Sequence, residues 1–579
     1  MLRIIFAAVT CLLVVPTLAL AAPRPVTSND IFQVTRNGKP LWCLAQGSKV
    51  VPGSVKRSGA KILFTSEAES QKNKLAALKR DKSKKGRAAL AKLKAFMKLG
   101  AEMCASGTTL SPHEDSLTRE EAQHLFRRAG FGGTAGDIQL AMQRGLSATL
   151  DSLLSPVATP QLDQEAASYL DGDPLETYDY ISSEGVRMAA MKYMLKSPNQ
   201  LREKMAHFLQ QYFFVSEENM SYGQTHFLKD RMDLTRLHAL GNIRTAMKKL
   251  VSDGMSIYSF DERLNRASGL NKRLSQHFFE HLALGSGQYS AMDVAEGARA
   301  LAGWTTAYDE NVEQEIVFFA SALVDRGSKS FFGGTPHAGA TSASGEAFID
   351  FMFDQHPQVR RKLVAAMYTF LVKREPSARI VESLAELLKT SNDEVGPVLR
   401  KILRSRAFFS ADSMKLGIKD PAEFMFGVMR TLNLGDNYGH WDLNWRLQEM
   451  GLRLFDAPMP EGWGKDEYWQ NDQWMMKRAS FIHELLNNAS YRDENFSVMG
   501  LVPSPRANSE QFLTHMLSIL DVELDAEEPT HMDFYLNYIR TWDQKDEPWL
   551  FDPRHIDNTE RKIRGTLYIL MQHNSYQAN

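Results

Sequence analysis

From Leu117 onward the chain repeatedly places a helix-start signal before apolar residues at helical spacing, and this constrains its fold more than any other feature. Thr118 and Glu121 have the spacing of a capping box, in which each side chain satisfies a backbone N–H at the helix start, and Gly130 follows as a stop. A second helix is expected after Thr134, ending at Gly145. Asp420-Pro421-Ala422-Glu423 supplies an N-cap, a first-turn proline and an acid at the third helical position. Ile380, Leu384, Leu387 and Leu388 fall on one face of an amphipathic helix. Alternating strand patterns are scarce after residue 117, so the expected fold class is mainly α: a large multi-helical, all-α body over residues 116–579, preceded by a small β-containing N-terminal segment.

The residues before this body divide by composition. Residues 1–21 read as a general secretory signal: Arg3, an apolar run from Ile4 to Leu20, and small residues allowing cleavage after Ala21. The expected location is periplasmic or secreted, and no later segment is long and apolar enough to span a bilayer. In residues 22–65, Ile31–Thr35 and Leu41–Ala45 flank Asn37-Gly38, a dipeptide that tolerates positive φ and favours a two-residue hairpin. Residues 66–115 comprise a Lys/Arg-rich helical stretch and a linker, and the basic residues read as a solvated face. After signal removal Cys43 and Cys104 remain, and an oxidising compartment makes them a disulfide candidate that restricts the unfolded chain by about 4 kcal/mol on the loop-entropy model. Two free buried thiols are the alternative.

Hydrophobic residues at 43% suffice for a large core, and a formal net charge of −1 gives no whole-chain attraction to nucleic acid. Three constellations invite a chemical reading. His277-Phe278-Phe279-Glu280-His281 matches H-x-x-E-H: His277 and His281, one turn apart, can share a zinc ion with Glu280 as base, given a third ligand from among Glu296, Glu346 and Asp350. Asp293, Glu296 and Arg299 share a helix face and, with Asp325 and Lys329, make either a ligand-holding pocket or a structural salt-bridge network. Trp441, Trp445, Trp463, Trp469 and Trp474 lie among acids within a short stretch; Trp463 and Trp469 are candidates to stack on a polysaccharide, against a reading as core anchors. No G-x-S-x-G elbow, phosphate loop or dinucleotide fingerprint is present.

The stretch Leu201–Ser216, LREKMAHFLQQYFFVS, resembles a signature of the domain of unknown function 1800 family, whose members usually read L-R-E-K-M-x-x-F-W-H-x-H-F. Leu117–Gly133, Gln288–Thr305, Asp325–Gly333, Gly451–Trp463 and Ile563–Gln577 are similar to further blocks of that family, in order. The departures share a character. Leu209, Gln210 and Tyr212 stand where the family has Trp, His and His; Lys272, Arg273, Gln276, His277 and Leu282 replace Glu, Asn, Arg, Glu and His; Val324 replaces a His. Apolar and glycine positions survive while histidines and paired carboxylates do not. The resemblance therefore implies a retained scaffold with an altered polar site: a non-catalytic envelope or extracellular binding or scaffold protein, with a metal-dependent hydrolase and a glycan-binding protein as alternatives. By family analogy it also implies a secreted sulfatase- or phosphatase-like partner.

Overall fold

The structure is a computed structural model that describes residues 31–36, 39–44, 110–170, 181–334, 345–373, 375–410, 413–434, 440–464, 466–487, 498–504, 507–524, 529–540 and 556–578. The signal at 1–21, the basic stretch and Cys104 lie outside these residues, as does most of the Gly/Ser/Ala-rich segment after Gly334. The chain forms two compact units.

The smaller unit comprises Met1–Glu114, Leu363–Ser391 and Pro397–Leu416. Within it β1 (Ile31–Arg36) pairs antiparallel with β2 (Lys39–Leu44), with Arg36 opposite Lys39, and the expected turn dipeptide Asn37-Gly38 lies outside the described residues. The amphipathic helix at 380–388 spans Ala378–Thr390, capped by the Ser377 hydroxyl. Its Ile380, Leu384 and Leu388 are buried.

The larger unit comprises Asp115–Lys362, Asn392–Gly396 and Gly417–Asn579 and is built mainly of helices. It begins with α1 (Arg119–Arg128), whose capping box pairs Thr118 with Glu121. Next comes α2 (Ala135–Leu154), boxed by Thr134 and Asp137 and broken at Gly145, where φ is +82°. That conformation suits glycine, and a Cβ there would also meet Asp115 Oδ2 at 2.6 Å. Two central helices follow, α3 (Ser183–Lys196) and α4 (Gln200–Tyr212). Downstream are α5 (His226–His238), α6 (Ala291–Leu301) and α7 (Pro421–Thr431). Among the described residues no helix is long and apolar enough to cross a membrane.

The expectation of an all-α body requires one correction. Strands β3 (Trp304–Asp309) and β4 (Gln314–Phe319) form an antiparallel hairpin, with Trp304 opposite Phe319 and Asp309 opposite Gln314. Thr, Tyr, Ile, Val and Phe give these segments strand propensity, but each is only six residues long and β3 directly follows a strongly helical block.

A buried ionic network ties α4 to α7. Asp420 caps α7 in a box with Glu423, with Pro421 in the first turn. On one face of α4, Lys204 Nζ lies 2.5 Å from Glu423 Oε1, and His207 Nε2 lies 2.9 Å from Asp420 Oδ2. Gln211 also donates to Asp420, at 3.0 Å. The opposite side of the same motif uses Glu203, which accepts from Arg236 of α5 at 2.8 Å. Leu201 and Met205 are buried beside these polar groups. The L-R-E-K-M run thus sends its two ends into apolar packing and its central Glu203 and Lys204 into ion pairs with two other helices.

Removing one member of a buried pair strands the other charge, at a cost of about 3–5 kcal/mol. Lys204→Met is accordingly expected to lower unfolding free energy by about 3 kcal/mol in urea titration. Adding Glu423→Gln, which keeps the cap but removes the charge, recovers part of that loss; no recovery contradicts the pairing.

Candidate functional site

The chain leaves α4 through Phe213-Phe214-Val215-Ser216, and this exit brings two distant blocks together. The first is the segment Arg273–Ala283, which begins as an α-helix over Arg273–His277 and continues as a π-helical turn over Phe278–Ala283. Such turns are uncommon and concentrate at functional sites. Gly297 of α6 permits its close packing, since a Cβ there would meet Ser275 Oγ at 2.4 Å and Phe279 at 2.9 Å.

His277 is 6% exposed and its ring is enclosed by aromatics, with the Phe214 and Phe260 centroids at 4.6 and 4.5 Å. His281 is half-buried, 5.1 Å from both the Phe214 and His277 rings. Burial, helped by the neighbouring His281, pushes the His277 imidazole down to about 3. Burial and Lys362 lower His281 too. Glu280 accepts a hydrogen bond from the Tyr289 hydroxyl, which itself accepts from Gln276 at 2.6 Å. Desolvation and this carboxylate push the Tyr289 phenol up to about 12.

The candidate third metal ligands are engaged elsewhere. Glu296 is held by Arg299, Asp350 by Lys248 and Arg244, and Glu346 lies 3.6 Å from Lys249. Among the described residues no group of three or more His, Cys, Asp or Glu side chains is placed to hold a metal ion.

The positions where histidines are replaced are also filled. The Tyr212 hydroxyl donates to the Leu282 carbonyl at 2.6 Å, and burial raises its phenol far above the ordinary range. Gln210 is buried, with no hydrogen-bond partner for its carbonyl oxygen among the described residues. Val324 packs at Gly303 at the base of the β3–β4 hairpin, where a Cβ would approach its side chain to 3.0 Å.

Asp293, Glu296 and Arg299 grip the loop at 325–332 from one face of α6. Asp293 caps α6 through Ser290 and also accepts from the Phe332 N–H at 2.6 Å. Glu296 accepts from the Ser330 N–H at 2.8 Å and from Arg299 at 2.7 Å. Arg299 donates twice to Asp325, at 2.8 and 3.1 Å, which lowers the Asp325 carboxyl and raises the guanidinium. Lys329 is buried; its ammonium donates to the Asp325 carbonyl, and desolvation lowers its pKa. These five residues bind one another and the loop backbone.

The second block meeting the α4 exit is Gly451–Trp463. Ala457 N–H donates to the Val215 carbonyl at 2.8 Å, and the Ser216 hydroxyl donates to Asp456 at 2.8 Å. Gly462, at φ +75°, runs so close to Phe214 that a Cβ would lie 2.8 Å from its ring. Beside this contact opens a cleft of about 770 Å³ lined by Glu184, Glu217, Arg453, Asp456, Trp463 and Tyr468, among others. Its carboxylates are held in place. Glu217 lies 2.7 Å from Arg187, which is fully buried and donates to the Leu454 carbonyl, and 2.6 Å from Arg453. Arg453 also reaches Asp456 at 2.8 Å.

The tryptophans therefore separate by role. Trp463 lines the cleft, whereas Trp469 is 3% exposed and packs behind Tyr468, at 4.8 Å between rings. Trp445 is exposed at a place outside the cleft lining. Sequence reasoning missed Glu184, Glu217, Arg187 and Arg453. Glu217 follows directly on the quoted L-R-E-K-M stretch and Arg453 lies inside a quoted block, but Arg187 carried no local signal.

A profile of the family described as Protein of unknown function (DUF1800) matches residues 124–577. The chain belongs to this family. No curated protein matches it, and neither does any solved structure. Within the DUF1800 fold of this chain, the 201–216 and 451–463 blocks, which resemble family signatures, meet at Phe214. The substituted positions Tyr212 and Leu282 touch each other there.

The buried imidazole gives a pH test. In the folded chain His277 stays neutral until pH nears 3, whereas an unfolded histidine protonates near ~6.5. The unfolded state binds more protons between these values, so this group makes stability fall as pH drops through that window. His277→Phe should show a shallower decline of Tm from about pH 6.5 to 3 than the parent chain. Equal slopes contradict the burial of this ring.

Proposed function

We propose that this DUF1800 protein is a secreted or periplasmic, non-catalytic protein that binds a partner or polymer through its open cleft. One observation carries the reading: the groups that invite chemistry are already occupied by their own chain. His277 is enclosed by Phe214 and Phe260, Glu280 is engaged by Tyr289, and the Asp293–Glu296–Arg299 face is spent on the 325–332 loop. A general base or metal ligand needs access, which burial denies His277, and the lowered pKa leaves its neutral ring a weak base. By contrast, the cleft at Trp463 is open and of the size ligand sites commonly have, about 300–1,000 Å³. The apolar run at 4–20 and the small residues before Ala22 support the exported setting.

Metal analysis of protein recovered from the exported fraction tests this, and its N-terminus checks the setting, with Ala22 the expected first residue. After growth in zinc-replete medium we expect no stoichiometric zinc, and the same content in His277→Ala/His281→Ala. Stoichiometric zinc that disappears in that variant overturns the non-catalytic reading in favour of a metal-dependent hydrolase.

A further inference from the structure

We infer that the Trp463 cleft takes an uncharged chain of hexopyranose units, with the Trp463 indole as the platform for one sugar ring. This rests on the binding reading above and names its ligand. A pyranose has an apolar face of C–H groups and an edge of hydroxyls, so a site for it needs an aromatic surface beside fixed hydrogen-bonding groups. The cleft has both. Trp463 and the 38% exposed Tyr468 line it, and Tyr468 is backed by Trp469 and Trp474 at ring distances of 4.8 and 4.5 Å. Gly462 presses onto Phe214, so the backbone that carries Trp463 is fixed by close contact.

The polar groups are fixed as well. Glu217 is clamped between Arg187 and Arg453, and Asp456 is held by Arg453, Ser216 and the Glu217 N–H. A carboxylate has room for about four hydrogen bonds, so oxygens already oriented by arginine can still accept from sugar hydroxyls. Such preorganisation lowers the entropy lost on binding. Charge decides the class of polymer. Among the described residues the lining carries Glu184, Glu217, Glu218 and Asp456 against a single cation, Arg453, which disfavours uronate or sulfated chains.

Isothermal titration of the full-length protein with cellohexaose and chitohexaose tests the assignment, with polygalacturonate as the anionic control and mass spectrometry of the sugars afterwards. We expect at least one neutral hexamer to bind and polygalacturonate to be rejected. Trp463→Ala should weaken binding by about tenfold or more, consistent with losing one stacked aromatic. Trp463→Phe should retain most of the affinity, and Trp445→Ala, exposed outside the cleft, should match the parent. Thermal melts identify any variant that fails to fold, and for these Glu184→Gln at the cleft edge replaces the alanine variant, with weaker binding expected. Failure of both hexamers to bind, preference for polygalacturonate, or unchanged affinity in a folded Trp463→Ala overturns the inference while leaving the non-catalytic reading standing. Cleaved hexamers with Trp463-dependent binding overturn the non-catalytic reading and leave the ligand assignment intact.

Discussion

The buried contact between Lys204 and Glu423 fixes the element on which the larger unit's candidate site is built. Ion pairs removed from water gain from mutual attraction only when their remaining hydrogen-bonding capacity is also met. Here Glu423 also accepts from the Asp420 N–H, and Asp420 in turn takes His207 and Gln211. The requirement to satisfy all these groups specifies how α4 lies against the start of α7. Glu203 fixes the same helix to α5 through Arg236. With α4 set by both sides, the direction of the chain at Phe213–Ser216 is set too.

Two consequences follow from that exit. Inward, Phe214 closes over His277 and His281, and Tyr212 bonds the Leu282 carbonyl, so the region around two of the positions where the resemblance expects histidine is filled with aromatic rings. Outward, the backbone of Val215–Glu217 receives the 451–463 block and leaves the cleft with Trp463 on its wall. Filling one side and opening the other are thus two results of one helix placement. Substitutions that remove histidines cost little stability where an aromatic or aliphatic group of suitable volume replaces them, which is consistent with a scaffold retained around an altered site.

The sequence made the helix starts legible because capping is local: Thr118 with Glu121, Thr134 and Asp420 with Glu423 need only a few residues to identify themselves. The pairing of Ile31–Arg36 with Lys39–Leu44 was legible for the same reason. The β3–β4 hairpin was not, since Trp304–Asp309 is short and its register depends on pairing with Gln314–Phe319. At the site, the blocks at 201–216 and 451–463 could be marked from sequence, but not that Gly462 would pack on Phe214. Likewise the spacing of Asp293, Glu296 and Arg299 revealed a shared face; only the fold shows that the Ser330 and Phe332 backbone uses it. Arg187 was invisible because nothing local distinguishes a helical arginine whose partners, Glu217 and Leu454, lie on other segments.

We propose that the polar region at 277–283 is closed and that the cleft beside it takes the ligand. Hydrogen–deuterium exchange of the full-length protein, with and without saturating neutral oligosaccharide, reads both parts in one experiment. We expect slow exchange at 277–283 in either condition, with added protection confined to 183–187, 216–225 and 451–468. Rapid exchange at 277–283 in the free protein, with ligand protection appearing there instead of at the cleft, would contradict it.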